Sequence, residues 1–379
     1  MRILQFIETG GPGGAETVFA QLSSGLAARG VSVQCLVRDG SWLPAELKRR
    51  GFEPHLARTS GALDTVLLRQ LVSLIRDYRI DLVHAHLFDG AAYATLAAVL
   101  CRVPVVATLH GQVDVRHTGM GTHIKAAMIR QGASAVVAVS EALRSDLLER
   151  LRIPPSRFLV VHNGLESTER FANLPSLAEA PRDDQDFRLV TVGNIRPAKD
   201  YPSLLRAVAA LQHKGVLVHL DVLGQPDQLG LNDELQAQAV SLGIQKRVTF
   251  HGFVADPTPF LRRAHAFVLA SSKEGFSLAT IEAMLAGVPV VATMSGGPQE
   301  IVENDVTGLL VPTGCPDALA AAIARLVRDP ELARQFRIAA WKSVRSKFSV
   351  ERMLESYLAL YHEVSSRSSK HRSSSLKSA

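Results

Sequence analysis

Short β-branched runs alternate with longer amphipathic ones twice along this chain, and a stretch that suits neither state separates the two series. In the first series the strand candidates are residues 2–8, 31–37, 82–85, 103–108 and 135–139, and the helix candidates include 15–29, 63–78, 91–100 and 141–150. Apolar strands alternating with helices predict βαβ units and a parallel sheet covered on both faces. Between about Glu166 and Asp186 the pattern stops, and Asn173, Pro175, Pro181, Asp183, Asp184 and Asp186 read as a linker. The second series begins at Phe187, with strands at 187–192, 216–223, 248–250, 266–269 and 289–292. Its helices fall near 201–213, 232–242, 278–286, 317–328 and 331–345, and a last amphipathic helix spans 350–364. At 379 residues the chain is long enough for two ordinary domains. The expectation is an α/β chain of two doubly wound domains facing across a cleft. The boundaries are 1–170 for the first domain, 171–186 for the linker, 187–349 for the second domain and 365–379 for a tail.

Ligands of doubly wound sheets bind beyond the carboxyl ends of the strands, so the loops after strands carry the chemistry. The most informative is EGFSLATIE, where Glu274 and Glu282 stand eight residues apart around a Gly275-Phe276-Ser277 turn that enters a helix at Leu278. Such a turn presents backbone N–H groups and the positive end of a helix dipole, which suits a phosphate. An ionised carboxylate only accepts hydrogen bonds, which suits hydroxyls. Phosphate between two hydroxyl-binding carboxylates describes a nucleotide-sugar; the alternative is a surface turn with two solvated acids.

Other loops fit the same chemistry. GGPGGAE, Gly10–Glu16, follows the first strand, and Gly13 and Gly14 allow close approach to a ligand just before a helix. It completes no G-x-G-x-x-G register, which disfavours a dehydrogenase. Leu109-His110-Gly111 follows the strand at 103–108 and points His110 into the cleft, where it suits a sugar hydroxyl. In DLVHAH, His86 has a weaker case for lining the cleft and His84 reads as structural. VGNIRPAKD opens the second domain, with Asn194, Arg196 and Lys199 between a strand end and a helix. Two cations there suit a diphosphate whose charge grows as it leaves. In SGGPQEIV, Gly296 and Gly297 let the backbone pass close to a donor; His162–Gly164 reads as a turn, and Gly224 as a neighbour of a base.

No D-x-D pair sits where a metal–diphosphate site needs it, and no Walker loop, Ser-His-Asp order or H-E-x-x-H is present. The expectation is therefore neither metal nor cofactor. Cys35, Cys101 and Cys315 lie far apart and read as buried thiols in a reducing compartment. The tail supplies four of the six net positive charges through Arg367, Lys370, Arg372 and Lys377, so the body does not argue for nucleic acid. Low in apolar residues, the tail is expected to be disordered. It either adds weak attraction to an anionic inner leaflet or is simply solvated. No run approaches the ~18 apolar residues of a membrane helix, and the first residues turn acidic too soon for a signal peptide. The expectation is a cytoplasmic protein, peripheral at the membrane if the tail engages it.

Taken in order, GGAE, the strand-end His-Gly, VGNIRPAK, EGFSLATIEAMLAGVPVVAT and SGGPQEIVENDVTGLLVP resemble the retaining GT-B glycosyltransferases of family 4, over nearly the whole chain. The resemblance implies two Rossmann-like domains and a final helix, 350–364, crossing back onto the first domain. It implies that Glu282 binds the donor ribose and that Glu274 holds hydroxyls of the transferred sugar. It places the N–H groups of Phe276, Ser277 and Leu278 on the diphosphate, Arg196 and Lys199 on the leaving phosphate, His110 on the sugar, and Gly13 and Gly14 near donor or acceptor. The chain departs from the family at Ser277, often Gly, and Ala279, often Pro; Ser277 keeps its N–H and can cap the helix. The family's commonest loop has Arg where Asn194 stands, so the resemblance carries Lys199 more directly than Arg196.

The implied reaction moves a sugar from a nucleotide diphosphate donor to a hydroxyl of a glycan or lipid-linked acceptor, with retention and an α-linkage. Cell-surface polysaccharide, lipopolysaccharide or glycolipid assembly is the expected setting. Catalysis would rest on positioning and on stabilising the departing diphosphate. The same residues also fit a nucleotide-sugar 2-epimerase of the same fold, which needs no acceptor, or a non-catalytic nucleotide-sugar-binding subunit.

Overall fold

In the computed structural model, residues 1–40, 42–58, 64–111, 119–166 and 187–375 are described, with side chains to residue 367. The chain divides into two compact units, Met1–Glu166 with Val350–Ala379, and Ser167–Ser349. The linker expected at 171–186 lies outside the described residues.

In the first unit the strands are β1 (Arg2–Ile7), β2 (Ser32–Arg38), β3 (His55–Ala57), β4 (Leu82–His86), β5 (Val105–Leu109), β6 (Ala135–Ala138) and β7 (Phe158–Val160). They form a parallel sheet in the order β3-β2-β1-β4-β5-β6-β7. Between them run α1 (Gly14–Ala28), α2 (Leu43–Arg49), α3 (Thr65–Asp77), α4 (Phe88–Cys101), α5 (Met120–Gly132) and α6 (Glu141–Leu151). Every residue of β4, β5 and β6 is buried, as a parallel strand covered on both faces requires. Ile3 of β1 pairs with Val33 on one side and Leu82 on the other, so the strand order reverses between β1 and β4.

The second unit repeats the plan. Its strands are β8 (Phe187–Val192), β9 (Val218–Leu223), β10 (Val248–Gly252), β11 (Ala266–Leu269), β12 (Val290–Thr293) and β13 (Leu309–Val311), ordered β10-β9-β8-β11-β12-β13 and all parallel. Its helices are α7 (Tyr201–His213), α8 (Leu231–Ser241), α9 (Thr258–Arg263), α10 (Leu278–Leu285), α11 (Pro298–Ile301), α12 (Pro316–Arg328) and α13 (Pro330–Lys347). Here the order reverses between β8 and β11, the point where doubly wound sheets open a crevice. Side-chain caps fix several helix starts. Ser140, Ser277 and Asp329 accept from the backbone N–H three residues on, at 3.1, 3.3 and 2.9 Å.

A last helix, α14 (Val350–Ser375), belongs to the first unit. Met353, Leu354, Tyr357, Leu360, Tyr361 and Val364 recur at helical spacing and are all buried. Each buried side chain of this size contributes roughly 1.5–3 kcal/mol before the entropy of ordering. Gly25 of α1 makes the contact close: a Cβ there would lie 2.3 Å from Leu354 Cδ1.

The structure corrects the sequence reading in two ways. β3, β13, α2, α5, α9 and α11 were not anticipated, being short or weakly patterned. Residues 365–375 are helical where composition predicts disorder. The docked turns of α14 supply the nucleus, so extending the helix costs only propagation, and the Arg367–Glu363 pair one turn apart supports it.

Candidate active site

Two loops of the second unit, one after β8 and one after β11, meet at the reversal of strand order. The first runs from Gly193 into a single 3₁₀ turn, Pro197–Lys199. Its start extends the sheet: Gly193 N–H donates to Leu223 O at 2.8 Å and Ile195 N–H to Gln225 O at 2.8 Å. The buried Tyr201 donates its hydroxyl to Gly193 O, and Asp200 closes the turn at φ 47° while capping α7 through Ser203 N–H. The loop that bears Arg196 and Lys199 is thereby held at both ends.

The second loop, residues 270–277, is stitched on two sides. Ser272 N–H donates to Ala198 O at 2.8 Å, and Thr293 Oγ1 donates to Ser271 O at 2.5 Å. Glu274 N–H donates to Ser295 O at 2.9 Å, and Gly297 N–H returns to Glu274 O at 3.0 Å. A Cβ on Gly297 would lie 2.3 Å from Gly275 O and 2.8 Å from Phe276 Cα, so only glycine fits. The close approach at Gly297 is thus to the protein's own 275–276 backbone, where the sequence reading aimed it at a donor. Gly296, bridged to Glu274, donates its N–H to Gln299 Oε1 at 3.2 Å.

This stitching brings Lys199 and Glu274 together. Lys199 Nζ lies 2.6 Å from Glu274 Oε2, with side chains 10% and 12% exposed, and Ser271 Oγ donates to the same oxygen at 3.1 Å. Burial pushes the Glu274 carboxyl up, but Lys199 beside it, with Arg196 and Ser271, outweighs burial and holds it below the usual glutamate value. The site therefore contains an ionised acceptor and a fixed cation, with Arg196 close enough to contribute charge. A Lys ammonium has three N–H donors, and this bond uses one.

Directly after Glu274 and Gly275, the buried Phe276 packs edge-on against Phe348, ring centroids 5.4 Å apart. Ser277 caps α10, its Oγ accepting from Thr280 N–H at 3.3 Å and Thr280 Oγ1 at 2.9 Å. Leu278 opens the helix, and Glu282 follows on it, half-buried. The N-terminus of α10 thus stands directly after the Glu274 turn. Asn194 lies in the β8 loop between the two sheet-extending residues.

The remaining candidates lie in the first unit. Gly13 is the residue before α1 and Gly14 its first; Gly13 O accepts from Thr17 N–H at 3.0 Å and Thr17 Oγ1 at 2.9 Å. His110 follows β5, half-buried, with its Nε2 2.9 Å from His86 Nδ1. His86, the weaker candidate for the cleft, is fully buried, as is His84. Sequence reasoning missed Ser271, Ser272, Thr293 and Tyr201, whose roles depend on contacts across loops. Among the described residues, no helix is long and apolar enough to cross a membrane, and no group of three or more His, Cys, Asp or Glu is arranged to hold a metal ion.

Comparison with known proteins agrees with this architecture. Residues 12–169 match the model of Glycosyltransferase Family 4, and residues 176–343 that of Glycosyl transferases group 1. The chain is similar to the D-inositol 3-phosphate glycosyltransferase of Streptomyces griseus, 30% identical over 88% of this chain and 80% of that protein. It is also similar to the alpha-maltose-1-phosphate synthase of Mycolicibacterium smegmatis, 29% identical over 88% and 91%. Among solved structures it superposes on Anabaena Alr3699/HepE in complex with UDP-glucose with a TM-score of 0.85, at 23% identity, covering 96% of this chain and all of that one. The two parallel-sheet units, the charged loops at the strand-order reversal and these matches together place the chain in the GT-B glycosyltransferases of family 4.

Proposed function

We propose that this glycosyltransferase moves a sugar from a nucleoside diphosphate sugar to an acceptor hydroxyl with retention of the anomeric configuration. The observation that carries the reading is the buried Lys199–Glu274 pair beside the capped N-terminus of α10. Lys199, Arg196 and the N–H groups of Phe276, Ser277 and Leu278 offset the charge of the departing diphosphate. Glu274 accepts from hydroxyls of the transferred sugar, and Glu282 from those of the ribose. His110 of the first unit bonds a sugar hydroxyl, and Gly13 and Gly14 line the approach of substrate.

In the reaction the bond from the anomeric carbon to the diphosphate breaks, and the acceptor oxygen bonds to that carbon on the same face. The acceptor proton passes to the leaving phosphate, so no side chain need act as nucleophile. Lys199 and Arg196 supply the charge that a metal supplies elsewhere, so the reaction runs without a divalent ion. UDP-sugars are the first donors to try, because the Anabaena structure holds UDP-glucose. The acceptor class we favour is a glycan or lipid-linked intermediate of cell-surface polysaccharide, lipopolysaccharide or glycolipid assembly, met at the inner membrane face through the basic tail.

The test is nucleotide release from UDP-, GDP- and ADP-sugars, with NMR of the anomeric proton in the product. An α-product from an α-donor, with turnover unchanged by EDTA and reduced roughly 10²–10³-fold in Lys199→Met, is expected. A β-product, or near-normal turnover in Lys199→Met, would overturn the reading. Release of a free epimerised sugar would identify an epimerase instead.

A further inference from the structure

His110 is the end of a continuous buried chain of side chains that begins on α14. Tyr361 Oη lies 2.6 Å from His84 Nδ1, and His84 Nε2 lies 2.7 Å from Thr108 Oγ1, which lies 3.1 Å from Tyr357 Oη. On the other side of His84, its ring packs against His86, centroids 4.2 Å apart. His86 Nε2 lies 3.0 Å from Gln5 Oε1, and His86 Nδ1 lies 2.9 Å from His110 Nε2. The His86 and His110 rings stack at 5.2 Å and 19°. Gln5, His84, His86, Thr108 and both tyrosines are 0% exposed.

Burial holds all three imidazoles neutral: His84 and His110 are pushed down to about 3, and His86 well below its ordinary value. A neutral imidazole has one N–H and one acceptor nitrogen, and the partner of one nitrogen decides the role of the other. The amide oxygen of Gln5 can only accept, so His86 Nε2 carries the hydrogen. His86 Nδ1 is then an acceptor and His110 Nε2 must donate to it. That leaves His110 Nδ1 as an acceptor. Turning the Gln5 amide over would reverse every step and make His110 Nδ1 a donor, so the sense of the chain is set at Gln5.

We propose that Gln5 and His86 are positioning residues that lock His110 into the Nε2–H form, so that its Nδ1 accepts from a hydroxyl. The functional half rests on the reading that His110 bonds a sugar hydroxyl; the tautomer itself does not.

The test is the long-range ¹H–¹⁵N spectrum of the full chain with ¹⁵N-labelled histidine at pH 7.5, His110 being assigned by loss of its signals in His110→Asn. Neutral Nε2–H forms for His86 and His110 are expected in the unaltered protein. In Gln5→Leu, His110 should become a mixture of tautomers and kcat/KM should fall about tenfold. An Nδ1–H form or an imidazolium at His110 in the unaltered protein would overturn the relay, and that spectrum needs no variant to fold. So would a Gln5→Leu spectrum with the His110 tautomer unchanged. A tautomer that shifts in Gln5→Leu with kcat/KM unchanged would support the relay and remove His110 from the sugar.

Discussion

Replacing Lys199 by Met removes the ammonium that Glu274 pairs with inside the second unit, and the cost can be worked from the structure. Both side chains are about nine-tenths buried, and the 2.6 Å contact is a charge-assisted hydrogen bond. Removing one partner of a buried pair costs roughly 3–5 kcal/mol, here toward the lower end because Ser271 Oγ still donates to Glu274 Oε2 and Arg196 still contributes charge. For a unit of this size each kcal/mol shifts Tm by about 2–4 °C, so the transition of the second unit should fall by about 10 °C at pH 8. The pH dependence gives the sign. In the unaltered protein Glu274 is depressed below its unfolded value, so the pair's stabilisation is present above that value and is lost as pH falls through the folded one. In Lys199→Met burial dominates and Glu274 moves above its unfolded value, so the folded form keeps a proton the unfolded form has released. The gap between the two proteins should therefore narrow as pH falls from 8 to 5. Scanning calorimetry, which resolves separate unit transitions, reads both effects. Equal Tm values at pH 8, or a gap that widens toward pH 5, would refute the reasoning. Lys199→Met with Glu274→Leu should recover most of the loss, since an apolar pair of similar volume is often neutral or better.

Three further outcomes are expected. Gly297→Ala places a methyl 2.3 Å from Gly275 O and must push the 270–277 loop away from the segment after β12; nucleotide binding should weaken at least tenfold with little change in the first unit's melting. Tyr361→Phe leaves His84 Nδ1 without its 2.6 Å partner in the core and should destabilise the first unit by about 1–3 kcal/mol in urea denaturation. The buried His84 and His86 and the half-buried His110 are depressed from an unfolded value near 6.5, so their contribution is complete above pH 6.5 and is lost below it. Stability of the first unit should fall by up to about 4 kcal/mol per pH unit once well below 6.5, and a flat urea midpoint between pH 7 and 5 would contradict that burial.

Much of this architecture was legible because parallel strands covered on both faces must be apolar throughout, as in VVATL of β5 and AVVA of β6. Three-residue strands such as β3 and β13 are too short for a period to show. α5 carries too few apolar residues on one face, with Ala126 and Ile129 its buried ones. The Gly-Phe-Ser turn and the cap at Ser277 are local, so residue types alone indicated them. The Lys199–Glu274 bond joins residues 75 apart in sequence and depends on backbone stitching at Ser272 and Thr293 that no side-chain pattern announces. His86 was ambiguous for a similar reason: its partners are Gln5 on β1 and His110 after β5, distant in sequence; His84, read as structural, is fully buried.

The most direct test of the central claim is titration calorimetry of UDP, GDP, ADP and CDP into the unaltered protein and Glu282→Ala. One nucleoside diphosphate should bind, and the loss of a carboxylate that accepts from ribose hydroxyls should weaken it roughly 10–100-fold, at about 1.5–3 kcal/mol per hydrogen bond to a charged group. No binding of any of the four, or equal affinity in Glu282→Ala, would contradict the assignment of this site to a nucleoside diphosphate sugar.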